Sequence, residues 1–119
     1  MTNVKTLTKR IIEFRDAREW KKFHRPKDVA IALVLEAAEV IEHFQWKSEA
    51  ETKKYLRTNK AHVAEELADV LYCVLLMSHD LGIDILDALD RKMDQNEKKY
   101  PVEKAKGNAK KYTEFQEMF

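Results

Sequence analysis

Two pairs of acids carry the sharpest chemical signal in the chain. Glu36-Ala37-Ala38-Glu39 and Glu66-Leu67-Ala68-Asp69 each set two carboxylates three residues apart. On a helix such residues share a face, with Cβ atoms about 5–6 Å apart. Alanines within each pair keep that face open. From Val29 to Ile41 the only charged residues are Glu36 and Glu39. A helix apolar almost all round is buried on several sides, so charge in its middle is costly. If the two segments pack together, four carboxylates converge. Clustered buried carboxylates either rise in pKa or enclose a cation. Oxygen donors favour Mg²⁺, Mn²⁺ or Ca²⁺ over zinc, and Mg²⁺ completes its shell with waters and substrate phosphates. The pattern points to metal-assisted phosphate chemistry. Two rivals stand beside it. An acid pair at this spacing is ordinarily a solvated helix face, and Glu65 and Glu66 alone read that way, whereas Glu36 and Glu39 stand among apolar residues. A di-iron bundle wants Glu-x-x-His pairs, and none of His24, His43, His62 or His79 has an acid three residues before it.

Aromatic residues form a second signal. Trp20, Phe23 and His24 follow one helical pattern, and Phe44 and Trp46 follow the next. They read either as core packing or as a slot for a flat ring, a contact worth ~1–3 kcal/mol for a nucleobase. Lys92, Asn96 and Lys99 fall on neighbouring turns before Tyr100 and Pro101. They could hold phosphate oxygens or form a solvated face that ends at the Tyr-Pro stop. Cys73, in an apolar run, reads as a core thiol.

The elements that must position these residues are helices. Val4, Leu7, Ile11 and Phe14 mark one apolar stripe in a first helix running from Thr2 or Asn3 to Trp20. A second spans Asp28 to Gln45, with Asp28 as its cap. Ser48 and Glu51 form a capping box for a short helix to Leu56. Thr58 or Asn59 caps the next long helix, which runs to Leu81 and stops at Gly82. Asp84 opens a last helix, Ile85 to Tyr100, ended by Pro101. Beyond it the periodicity is weak. Lys98 to Tyr112 holds six lysines against one glutamate, a solvated tail or a contact for phosphate or a neighbouring subunit.

Composition agrees with an all-α, four-helix-bundle-like domain occupying residues 1–119, with a flexible basic tail over 102–119. The 119 residues suit one domain. Two glycines and two prolines leave too little turn chemistry for a sandwich or barrel. A net charge of +1 argues against nucleic acid as partner. No apolar run approaches the ~20 residues of a membrane span, and the opening residues lack a signal-peptide core. The single cysteine fits a reducing compartment, so a cytoplasmic location is expected. The second helix has more apolar surface than one small bundle covers, so a homo-oligomer, at least a dimer, is expected.

The four-acid motif, with residues 40–65 between its halves, resembles that of the MazG-like all-α nucleoside triphosphate pyrophosphohydrolases. Further strings are similar to the dCTP pyrophosphatase branch of that family: Glu19 to His24, Phe44 to Lys47, Glu65 to Val70, Lys92 to Asp94, Lys99 to Pro101 and Lys111 to Glu114. The resemblance covers nearly the whole chain. It implies a MazG-type fold, a tetramer, and Mg²⁺-dependent cleavage of a nucleoside triphosphate to monophosphate and pyrophosphate, as a house-cleaning activity on the nucleotide pool. Mn²⁺ is an acceptable substitute. It implies that Glu36, Glu39, Glu66 and Asp69 hold the metal, with Glu39 preferred for positioning the attacking water. Trp20, Lys21, Lys22, Phe23 and His24 become a nucleotide-binding segment, with Trp46 beside the base. Two positions depart from the branch: Ile11 stands where a histidine is expected and Cys73 where a tyrosine is. These leave the metal chemistry intact and the base open among dCTP, another deoxynucleotide and a modified one. The alternative function is a non-catalytic nucleotide-binding or helical partner module whose acids are structural.

Overall fold

The computed structural model describes residues 2–118, and among them every regular element is helical. Helix α1 covers Val4–Ala17, α2 Pro26–Glu42, α3 Glu49–Asp80, α4 Ile85–Lys99 and α5 Val102–Ala105. Turns of 3-10 helix occupy Lys21–Phe23 and Tyr112–Met118. The chain divides into two compact units, residues 1–83 and 84–119. No helix among the described residues is long and apolar enough to cross a membrane.

In the first unit, α2 and α3 form the main pair, with α1 packed on α3. Six residues join α2 to α3, so the two run antiparallel. Val29, Cys73 and Leu76 are the buried centre, with Ile11, Ile12, Ala32, Leu33, Tyr72 and Met77 packed around it. Cys73 is the core thiol its apolar setting suggested. From Val29 opposite Cys73 and Leu76, moving forward along α2 means moving back along α3. That register carries Glu36 and Glu39 towards Asp69 and Glu66.

Three helices depart from the sequence reading in their bounds. Helix α1 stops at Ala17, short of Trp20, through hydrogen bonds of the Schellman type. Glu19 donates to the Asp16 carbonyl at 3.0 Å and Trp20 to that of Arg15 at 3.2 Å. Glu19 takes the left-handed conformation this needs, at φ 54°. Helix α2 opens at Pro26 instead of Asp28, because proline's fixed φ suits the first helical position; Asp28 sits in the first turn. It ends at Glu42, ahead of Gln45. Third, no break falls at Thr58 or Asn59: α3 runs unbroken for 32 residues. The Asn59 amide turns back to the Tyr55 carbonyl at 3.1 Å instead of capping a new helix, and neither glycine nor proline occurs from Ser48 to Leu81. The Ser48–Glu51 capping box is present, with bonds of 3.1 and 3.2 Å. Gly82 closes α3 at φ 66°, bonding to His79, while Ile83 bonds to Ser78.

In the second unit, Asp84 caps α4 through Asp87, and α4 ends at Lys99 before Tyr100 and Pro101. Beyond it, Phe115 is buried with its ring edge-on to Tyr100 at 5.6 Å, and Tyr112 lies 6.1 Å from the same ring.

Candidate metal centre

Glu36, Glu39, Glu66 and Asp69 each bring one carboxylate oxygen into a group whose members all lie within 4.8 Å of one another. Three-residue spacing on α2 and α3 aligns each pair, and the antiparallel packing brings the pairs together. Glu36 and Glu66 are half-buried, while Asp69 reaches solvent. Glu36 Oε2 and Glu66 Oε2 are both buried with no hydrogen-bond partner. A buried carboxylate oxygen without a donor is costly, and a cation relieves it.

The electrostatics agree. Burial first, then the adjacent Glu39 carboxylate and the charges of Asp69 and Glu66, push the Glu36 carboxyl above its ordinary range. Glu66 is also raised, first by the Glu39 carboxylate and then by burial, with His43 opposing. All four donors are oxygens, which fits a hard divalent cation and lacks the Glu-x-x-His signature of di-iron bundles.

The aromatic residues stand at the helix exits. Trp20 packs edge-on against Phe14 at 5.7 Å, beneath an Arg18 guanidinium that lies 3.8 Å over the Phe14 ring. Phe23 is exposed, with Lys22 Nζ 5.3 Å from its ring centre. Lys21 and His24 line a cavity of about 270 Å³ with Pro26, His79, Asp80 and Leu81. His24 Nδ1 is buried there without a partner. Trp46 is 92% exposed and holds φ 68°, a left-handed conformation rare for a tryptophan, so its ring is not core. Lys92, Asn96, Lys99 and Tyr100 belong to the second unit. Lys92 is exposed, Asn96 contacts Met93 Sδ at 3.8 Å, and Lys99 Nζ lies 4.9 Å from the Tyr112 ring centre.

Two residues beside the acids escaped the sequence reading. His43 Nε2 is 3.8 Å from Glu66 Oε1, and His43 Nδ1 hydrogen-bonds the Tyr55 hydroxyl. Their sequence separation spans a turn whose path the left-handed Trp46 sets, and no periodicity announces it.

An all-helical fold with four carboxylates meeting between two antiparallel helices defines the class, and comparison with known proteins agrees. The profile of the MazG-like family matches residues 31–115, and the chain belongs to that family. It is 39% identical to dCTP pyrophosphatase 1 of Rattus norvegicus over 104 residues, 86% of this chain and 61% of that protein. Identity to dCTP pyrophosphatase 1 of Homo sapiens is 36% over the same shares. The chain thus spans about 61% of the length of these curated relatives. A crystal structure of a pyrophosphatase from Archaeoglobus fulgidus superposes with a TM-score of 0.79 at 40% identity, covering 85% of this chain and 94% of that one.

Proposed function

We infer that this chain hydrolyses nucleoside triphosphates, dCTP or a related deoxynucleotide foremost, to monophosphate and pyrophosphate. The observation that carries this reading is the meeting of four carboxylates around two buried, unpartnered oxygens. Likeness to proteins named as pyrophosphatases supports the reaction class. Glu36, Glu39, Glu66 and Asp69 would hold Mg²⁺, with Mn²⁺ as a substitute. Such a cation supplies charge neutralisation for triphosphate oxygens and acidifies water for attack. The chain's own residues do the rest. Glu39, adjacent to both raised carboxyls, accepts a proton from the attacking water as general base. Trp46, open to solvent, offers a face for the base, and Trp20 to His24 offer rings, two lysines and an imidazole for the nucleotide. On the second unit, Lys92, Asn96 and Lys99 offer donors of the kind that bind phosphate oxygens, with Tyr100 beside them.

The reading includes a homo-oligomer, a dimer or tetramer. Ile31, Val34, Leu35 and Ile41 leave an apolar strip of α2 exposed, the kind of surface that association covers.

The test is a steady-state comparison across the common deoxynucleotide and ribonucleotide triphosphates and several modified cytosine nucleotides, with Mg²⁺ and with chelator. Metal-dependent turnover with a cytosine deoxynucleotide near the top of the ranking is expected. Nucleotide binding without turnover would make the chain a binding module.

A further inference from the structure

Glu66 holds its two oxygens in different environments. Oε2 is buried without a hydrogen-bond partner, Oε1 stands 3.8 Å from His43 Nε2, and one of the two is the oxygen Glu66 brings to the four-acid cluster. His43 is the C-cap residue of α2, with its side chain 14% exposed. Its ring is held from the other side. Tyr55, in the second turn of α3, hydrogen-bonds Nδ1, and the two rings are tilted at 47° with centres 5.8 Å apart. Lys47 Nζ lies 4.3 Å from the Tyr55 ring centre and closes the outer side. A neutral imidazole has one donor and one acceptor nitrogen, and a phenol can donate. When the Tyr55 hydroxyl donates to Nδ1, the ring proton sits on Nε2 and faces Glu66 Oε1.

We propose that His43, with its ring set by Tyr55, is the positioning residue for Glu66: it engages Oε1 and leaves Oε2 aimed at the divalent cation. The proposal rests on the four acids being a cation site. Outer partners of this kind orient metal-binding carboxylates, and their loss typically costs ~10–100-fold in metal affinity.

The experiment is a calorimetric titration of the full chain with Mn²⁺ alone, no nucleotide present. It compares wild type, His43→Leu, His43→Gln, Tyr55→Phe and Glu66→Gln, with melting of each metal-free protein in parallel. His43→Leu should weaken Mn²⁺ binding by ~10-fold or more. His43→Gln, whose amide can present N–H near the Nε2 position, should bind close to wild type. Tyr55→Phe, which keeps the ring and loses only the hydroxyl, should weaken binding less than His43→Leu, in the same direction. Wild-type affinity in His43→Leu, with or without a lower melting temperature, would overturn the proposal, as would failure of His43→Gln to rescue. If wild type and Glu66→Gln alike bind no Mn²⁺, the cation site itself falls, and the proposal with it.

Discussion

Arg15 on α1 and Asp80, the last residue of α3, are joined through one nitrogen: Arg15 Nη1 donates to Asp80 Oδ1 at 2.8 Å and to Oδ2 at 2.7 Å. Arg15 is 2% exposed, and its Nε donates to Asp16 at 3.1 Å. The pair clamps the end of α1 to the end of α3, next to the cavity that Lys21 and His24 share. Removing the carboxylate leaves a guanidinium buried with half its compensation. Asp80→Ala should therefore cost about 3 kcal/mol or more. Arg15→Met should cost less, because it removes the buried charge itself and Asp80 retains access to water. Urea midpoints at unchanged slope check the order. Equal losses would mean the burial of Arg15 is not what makes the pair matter.

The acid cluster predicts an inverted pH profile for the metal-free protein. Glu36 and Glu66 are raised above their ordinary value of 4.5 in the fold. The native state therefore holds protons the unfolded chain has released, and stability falls as pH rises. The contribution is complete below the unfolded value and is lost as pH passes the raised one. In chelator, the urea midpoint should drop as pH rises from about 4.5 towards neutrality. Glu36→Gln should flatten that drop and leave the metal-free protein as stable as wild type or more so. A wild-type profile rising over this interval would contradict the geometry of the cluster.

Adding Mg²⁺ should reverse the loss. A ligand that binds only the native state at a hundred times its Kd stabilises by about 2.7 kcal/mol. Glu36→Gln, Glu39→Gln and Asp69→Asn should each lose most of that gain together with turnover. Full activity in any of the three, with an unstable metal-free fold, would make the acids structural.

How much of this was legible in the sequence depends on what kind of constraint each feature carries. The acid pairs stood out because their spacing matches a helical face and their surroundings are apolar. The caps at Ser48 and Asp84 and the stop at Gly82 stood out because local chemistry dictates them. The end of α1 did not, since Glu19 occupies a left-handed position that usually calls for glycine. Thr58 and Asn59 are good caps by type, yet no glycine or proline breaks α3 there and the Asn59 side chain bonds back to Tyr55 within the helix. The meeting of His43 with Tyr55 depends on the turn between α2 and α3, which has no periodic signature.

The two Schellman ends make a paired prediction. A Cβ at Gly82 would meet nothing within 4 Å, so Gly82→Ala tests backbone strain alone. It should destabilise by about 1 kcal/mol. Glu19→Gly should relieve strain of the same kind and raise stability by up to about 1 kcal/mol. Thermal melts of the two variants moving in the same direction would contradict the cap assignment.

Trp46 separates affinity from stability. With its ring in solvent, Trp46→Ala should leave the melting temperature nearly unchanged, whereas loss of a core tryptophan costs about 3–5 kcal/mol. It should lose ~1–3 kcal/mol of dCTP binding, the scale of one stacking contact. Normal binding in a stable variant would leave the base slot to other residues.

Light scattering tests the exposed strip of α2. The wild type should be a dimer or larger at micromolar concentration, and Val34→Glu combined with Leu35→Glu should shift it to smaller species while retaining helical content. A well-behaved wild-type monomer would contradict the oligomer.

The proposed reaction is hydrolysis at the α-phosphorus, with the four acids holding the cation. Phosphorus NMR of a dCTP reaction with Mg²⁺ tests it most directly. The expected spectrum shows dCMP and pyrophosphate appearing together, with no orthophosphate, in wild type and not in Glu39→Gln. Growth of dCDP with orthophosphate, or equal turnover in the two proteins, would contradict the account.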